Sequence, residues 1–222
     1  MINRFDETKP FDYENGFYLT SKPARIGNIL AHYELYKMIK DLPGNLVELG
    51  VFKGGSLIQF ATFRELLENE GSRKIIGFDI FGKFPEATTV ESDKKFIEKF
   101  AKLETKEEFL TREELLKSFE NKGIGNIELI QGDIRETVPL YVKNHPELRI
   151  SLLHIDTDVY EPAKVGLEEL YDRVVKGGVI VFDDFATVEG ETIAIEEFLG
   201  DKDYIIKKMS LSHTKPSYII KK

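Results

Sequence analysis

The sequence has no cysteine, which excludes disulfides, zinc–thiolate sites and thiol catalysis and fits a reducing compartment. It also lacks an excess of positive charge. Its 31 Lys and Arg against 39 Asp and Glu give a formal charge of −8, so there is no electrostatic footprint for nucleic acid or an anionic membrane. No apolar run approaches the ~20 residues that a bilayer-spanning helix needs. Residues 1–10 are polar and charged, unlike a secretory leader. Repeats and low-complexity blocks are absent as well. A cytoplasmic protein with neither nucleic acid nor membrane as partner is therefore expected. At 222 residues the chain suits one well-buried domain and is short for two.

What is present is two acidic clusters, each directly after an apolar run. Asp156-Thr157-Asp158 follows residues 150–155, and Asp183-Asp184 follows residues 179–182. Runs of that kind read as buried strands, which puts the carboxylates at strand C-termini, where open α/β sheets bind ligands. If the two strands are neighbours, roughly 4.8 Å apart, Asp156, Asp183 and Asp184 converge. A hard cation such as Mg²⁺ would relieve their repulsion. The plainer alternative is that Asp156 and Asp158 cap the next helix while Asp183 and Asp184 begin a solvated loop.

Apolar spacing predicts a helix over 26–40, closed by Pro43-Gly44-Asn45, then strands at 46–49, 74–78, 127–130, 150–155 and 179–182. Helices are expected at 56–69, 137–144, 162–174 and 192–199, with Lys176-Gly177-Gly178 as a turn into the fifth strand. Residues 86–122 are highly charged and read as one or two surface helices with a mobile connection. Strands at 204–209 and 217–221, joined through 212–216, are expected to form an antiparallel hairpin. Five strand–helix units and a hairpin make a single α/β domain with a mostly parallel seven-stranded sheet.

Between the first strand and its helix lies Gly50-x-x-x-Gly54-Gly55. This is neither the G-x-G-x-x-G of dinucleotide binding nor a phosphate loop, because the Gly-Lys-Ser/Thr ending is missing. Acids stand at the strand ends around it. Asp79 is suited to the two hydroxyls of a ribose, Asp133 to an adenine amino group with Ile134 against the ring, and Glu48 to the turn or to an amino group. A glycine turn with acids at successive strand ends suits a nucleoside without phosphates, which S-adenosylmethionine (SAM) offers.

Four segments carry a resemblance: 48–56 (ELGVFKGGS), 78–86 (FDIFGKFPE), 154–162 (HIDTDVYEP) and 176–185 (KGGVIVFDDF). Together they resemble class I SAM-dependent methyltransferases and, more narrowly, the macrocin-type (TylF-like) O-methyltransferase family, which methylates sugar hydroxyls in antibiotics and related glycosides. The resemblance covers residues 26–199. It implies a Rossmann-like methyltransferase domain at 46–222, with a helical lead-in at 1–45 and a charged helical insertion at about 86–122. It also implies a metal site at Asp156, Asp183 and Asp184 and a general base at Asp158. The cofactor set expected is Glu48, Gly50, Gly54, Ser56, Asp79, Asp133, Ile134 and Asp156. Two departures are the shorter stretch before the first strand and the segment 186–192, which lacks the Cys/Pro-rich sequence of many members.

The expected reaction moves a methyl from the sulfonium of SAM to a hydroxyl. A neutral alcohol is a poor nucleophile, so Mg²⁺ lowers its pKa and Asp158 takes the proton; the rival role for Asp158 is a helix N-cap. His154 reads as a packed core residue. His32, His145 and His213 have no partner at ligand spacing, and Tyr160 reads as pocket lining or packing. The expected acceptor is a small-molecule sugar, and residues 1–40 offer a surface for a homodimer. Two other readings stand beside this one: a Mg-dependent catechol-type O-methyltransferase, and a non-catalytic SAM-binding or assembly protein.

Overall fold

The computed structural model describes residues 5–83, 90–104, 110–200, 202–211 and 216–222. The start of the charged insertion, the connection between its helices, the end of the 78–86 segment, most of the hairpin connection and His213 lie outside the described residues.

Seven strands form one sheet: β1 (Asn45–Leu49), β2 (Ile75–Asp79), β3 (Ile127–Gln131), β4 (Ile150–Ile155), β5 (Val174–Phe182), β6 (Lys207–Lys208) and β7 (Ser217–Ile220). Their order is β3-β2-β1-β4-β5-β7-β6. The first five are mutually parallel, and β7 runs antiparallel to both β5 and β6. The expected α/β architecture is what forms.

Among the described residues, eight α-helices accompany the strands: α1 (Pro10–Thr20), α2 (Pro23–Ile39), α3 (Gly55–Leu67), α4 (Glu91–Glu104), α5 (Arg112–Lys122), α6 (Ile134–Asn144), α7 (Tyr160–Leu170) and α8 (Glu189–Leu199). Side chains alternate along each strand and so feed two cores. Leu153, Ile155, Ile180 and Phe182 face α6, α7 and α8. Leu152, Val179 and Val181 face α2, α3 and α5. With both faces covered, all six residues of β4 are buried, which is why it reads as a mainly apolar run, broken by Ser151 and His154. Among the described residues, no helix is long and apolar enough to cross a membrane.

Helix α2 is tied to the sheet by Arg73. Its guanidinium meets Glu68 at 2.7 Å and donates to the carbonyls of Ile39, Lys40 and Leu42 at 3.1, 3.2 and 3.3 Å. The first two are carbonyls that the helix end leaves without intrahelical partners. Helix α5 is stopped at both ends by local chemistry. Thr111 and Glu114 form a capping box, and Gly123 closes the helix in the left-handed conformation.

Several boundaries differ from expectation, and α6 and α8 each start three residues early, at Ile134 and Glu189. Helix α7 begins at Tyr160, with Pro162 in its first turn, where no backbone donor is required. Strand β5 begins at Val174, so Lys176-Gly177-Gly178 lies inside it as an irregularity opposite a register shift in β4 rather than as a turn before it. Of residues 204–209, only Lys207–Lys208 pair as a strand; Tyr204 and Ile206 pack against the core instead.

Candidate active site

The chain reverses its winding between β1 and β4, and the crevice beyond their C-terminal ends is the ligand position of such sheets. Ile155 and Phe182 are register partners on β4 and β5, so the next residues, Asp156 and Asp183, emerge side by side. The amide of Asp183 donates to the Ile155 carbonyl at 3.0 Å, and that of Asp156 to the Leu49 carbonyl at 2.9 Å. Asp156, Asp183 and Asp184 thus offer three carboxylate oxygens within 4.8 Å of one another.

Charge at this point is costly. Burial, and then the Asp183 carboxylate, push Asp156 well above the usual carboxylate range. Burial followed by Asp183 raises Asp184. Burial followed by Asp184 raises Asp158 strongly. Three hard oxygen donors whose charges oppose one another form a donor set that fits Mg²⁺, an ion that also keeps water ligands.

Asp158 does not cap α7. The N-cap is Val159, and no side chain bonds there from that position. Asp158 instead has a left-handed backbone, φ +62°, which Asp tolerates better than most residues. Its carboxyl shares a hydrogen bond with Asp184.

Sequence reasoning missed Glu191. It is fully buried in the first turn of α8 and accepts hydrogen bonds from the amides of Thr157, Asp158 and Asp184, each at 3.2 Å. Burial, and then Asp184, raise its pKa to about 8. It falls in the 186–192 stretch that departs from the family pattern, and a Glu in a helix's first turn gives no signal of its partners.

At the glycine turn, Gly50 has φ +86°, and a Cβ there would lie 1.8 Å from the Asp156 carbonyl oxygen. Gly54 has φ +75° and starts α3, where a Cβ would meet Leu115 at 2.7 Å. The Asp79 carboxylate accepts from the amides of Val51, Phe52 and Phe81 at 2.7, 2.8 and 2.6 Å. It therefore braces the turn from the end of β2. Glu48 is fully buried and accepts from the Ser56 hydroxyl at 2.6 Å.

Asp133 and Ile134 lie beyond β3. Asp133 caps α6 through the Arg135 amide at 2.9 Å and receives the Arg135 guanidinium at 2.6 Å. That contact holds its pKa below the usual value. Ile134 is buried in the core.

His154 is fully buried against His32 and Phe60, with ring centres 5.4 and 5.6 Å away. It also stands between Glu48, at 3.6 Å, and Asp183, at 3.7 Å. Burial opposes its charge, but Asp183 and Glu48 prevail and hold its pKa well above the usual value. His32, His154 and Asp183 also bring ligand-type atoms within 4.8 Å of one another, a proximity that the spacing of His32 in the sequence does not show. Residues so far apart in the chain leave no local pattern. His145 stacks on Tyr141 at 3.9 Å. Tyr160 donates to Glu197 at 2.6 Å.

The macrocin-O-methyltransferase (TylF) family model matches residues 24–210. The chain belongs to this family. A relative from Streptomyces olivaceus, described as 8-demethyl-8-(2,3-dimethoxy-alpha-L-rhamnosyl)-tetracenomycin-C 4'-O-methyltransferase, is 28% identical over 72% of this chain and 59% of its own length. The demethyldecarbamoylnovobiocin O-methyltransferase of Streptomyces niveus is 26% identical over 73% of this chain and 61% of its own length. The chain thus spans about three-fifths of these curated relatives. Among solved structures, the calicheamicin enzyme CalS11, titled a TDP-rhamnose 3'-O-methyltransferase, is 26% identical with a TM-score of 0.68, covering 97% of this chain and 87% of that one.

Proposed function

We propose that this protein is a Mg²⁺-dependent O-methyltransferase that carries a methyl group from SAM to a hydroxyl of a deoxysugar, either nucleotide-linked or part of a glycosylated natural product. The observation that carries the reading is the convergence of Asp156, Asp183 and Asp184 within 4.8 Å at the ends of adjacent strands, beside the glycine turn. The class of acceptor is supported by relatives named for rhamnosyl and TDP-rhamnose substrates. Neither nucleic acid nor membrane is a partner in this reading, and the cytoplasm is the compartment in which the enzyme works.

SAM supplies an electrophilic methyl carbon, so the protein has to bind it, orient the acceptor and manage one proton. The glycine turn Gly50–Gly54, Ser56, Glu48 and Asp79 form the donor's side of the crevice, with Asp133 and Ile134 at its adenine end and Asp156 shared with the metal. For Asp133 to meet an adenine amino group, its carboxylate has to divide itself between that group and Arg135. Mg²⁺ held by Asp156, Asp183 and Asp184 supplies Lewis acidity toward the acceptor hydroxyl. Asp158 accepts the hydroxyl proton. A desolvated carboxylate is a stronger base than one in water, and Asp158 is half-buried.

The test is a panel of nucleotide-linked deoxysugars, with a catechol as the planar control, incubated with SAM and Mg²⁺ and followed by mass spectrometry. A singly methylated sugar is the expected product. Methylation of the catechol alone would reject the sugar reading while keeping the chemistry.

A further inference from the structure

The loop after β4 must present Asp156 and Asp158 at fixed places, and the loop after β5 must do the same for Asp183 and Asp184. The first loop holds itself through one internal backbone bond, from the Val159 amide to the Thr157 carbonyl at 2.7 Å. Of its other amides, that of Asp156 goes to the Leu49 carbonyl, and those of Thr157, Asp158 and Tyr160 go to two carboxylates from distant parts of the chain. Glu191 receives those of Thr157 and Asp158 on one oxygen, Oε2, at 3.2 Å each. Asp93, buried in α4, receives that of Tyr160 at 2.8 Å. The second Glu191 oxygen, Oε1, takes the Asp184 amide of the other loop at 3.2 Å.

One buried side chain therefore spans both acid-bearing loops, an oxygen for each. Its neighbour Gly190 makes room for the second anchor, since a Cβ there would lie 1.9 Å from Asp93 Oδ1. The Gly190-Glu191 pair at the start of α8 thus admits Asp93 on one side and bridges the two loops on the other. Glu191 does not belong to the group of acids whose oxygens converge, and both its oxygens are directed at backbone amides.

We propose that Glu191 is a positioning residue, which fixes the separation of the Asp156–Asp158 loop from the Asp183–Asp184 loop and so sets the affinity of the site for a divalent cation. The metal part rests on the function proposed above; the clamp itself does not. The task needs two acceptor oxygens on one side chain, which the ionised carboxylate provides, so the measurements below are made above a pH of about 8. Glutamine has the right length but one acceptor, and its NH₂ group would face an amide donor. Aspartate has two acceptors but is one methylene too short to reach both loops. Neither conservative variant restores the bridge.

Two measurements on the full chain decide it. In metal-free protein, hydrogen exchange read by NMR is expected to quicken at the Thr157, Asp158 and Asp184 amides of Glu191→Gln, while Leu153 and Val181 in the strands stay protected. Calorimetry is expected to show Mg²⁺ affinity reduced by about 10–100-fold, the usual cost of losing an outer-shell partner, with SAM affinity within about twofold of the unaltered protein's. A general structural role would move both ligands or neither. Unchanged protection at the three amides, or unchanged Mg²⁺ affinity in a protein that binds Mg²⁺, overturns the proposal. If the unaltered protein binds no Mg²⁺, the metal reading fails and the exchange pattern alone decides the clamp. Glu191→Asp provides the same readouts should Glu191→Gln not fold.

Discussion

Gly50 touches Asp156 so closely that a Cβ on residue 50 would sit 1.8 Å from the Asp156 carbonyl oxygen. The glycine turn after β1 and the loop that carries Asp156 are therefore in direct backbone contact. The two segments touch at this single point.

Gly50→Ala is expected to lose at least about 2 kcal/mol of stability, because the obstacle is a backbone atom and φ is +86°. Urea unfolding gives the value. A change below about 0.5 kcal/mol would show that the contact is looser than described.

Asp79 braces the same turn through three amides. Asp79→Ala is expected to weaken SAM binding by the ~1.5–3 kcal/mol typical of hydrogen bonds to a charged group. Calorimetry reporting unaltered SAM affinity would remove Asp79 from the donor's side of the crevice.

A pH effect follows from Glu191, whose ordinary value of 4.5 is raised to about 8 in the folded chain. A raised acid favours folding while it is protonated in both states. That contribution is complete below about 4.5 and is lost as pH climbs through about 8. Asp156, Asp158 and Asp184 are raised as well and act in the same direction. In EDTA, the melting temperature is expected to fall across this window. Mg²⁺ should reverse much of the fall, most strongly at the alkaline end. A metal-free melting temperature that rises steadily from pH 5 to pH 8 would contradict this electrostatic account.

Much of this site was legible because parallel strands covered on both faces must be apolar, so the residue at which the apolar run stops marks the strand's end. Asp79, Asp156 and Asp183 were placed in that way. Glycines at 50 and 54 were legible because a tight turn between a strand and a helix calls on residues that adopt positive φ at little cost. What stayed hidden are partnerships across the fold. Glu191 meets Thr157 and Asp158 from more than thirty positions away, and His32 meets His154 from the opposite end of the chain. Such contacts leave no period in the sequence. Residues 204–209 misled for the opposite reason. They begin with three strand-forming residues, Tyr204, Ile205 and Ile206, but Tyr204 and Ile206 find apolar partners without pairing.

Asp158→Asn separates proton transfer from metal binding. The amide keeps the size of the side chain but cannot accept a full proton. SAM and Mg²⁺ should still bind, and the chemical step should slow by about 10²–10⁴-fold. A near-normal single-turnover rate would leave Asp158 without a role as base. Loss of Mg²⁺ would make it a ligand.

The central claim is that Asp156, Asp183 and Asp184 hold a divalent ion without which no methyl is transferred. The most direct measurement is single-turnover transfer from labelled SAM to a nucleotide-linked deoxysugar, first in excess EDTA and then after Mg²⁺ is restored, with Asp183→Asn alongside. The account predicts no transfer in EDTA, full recovery with Mg²⁺, and a folded Asp183→Asn protein that recovers little at the same concentration. Full transfer in EDTA would contradict it.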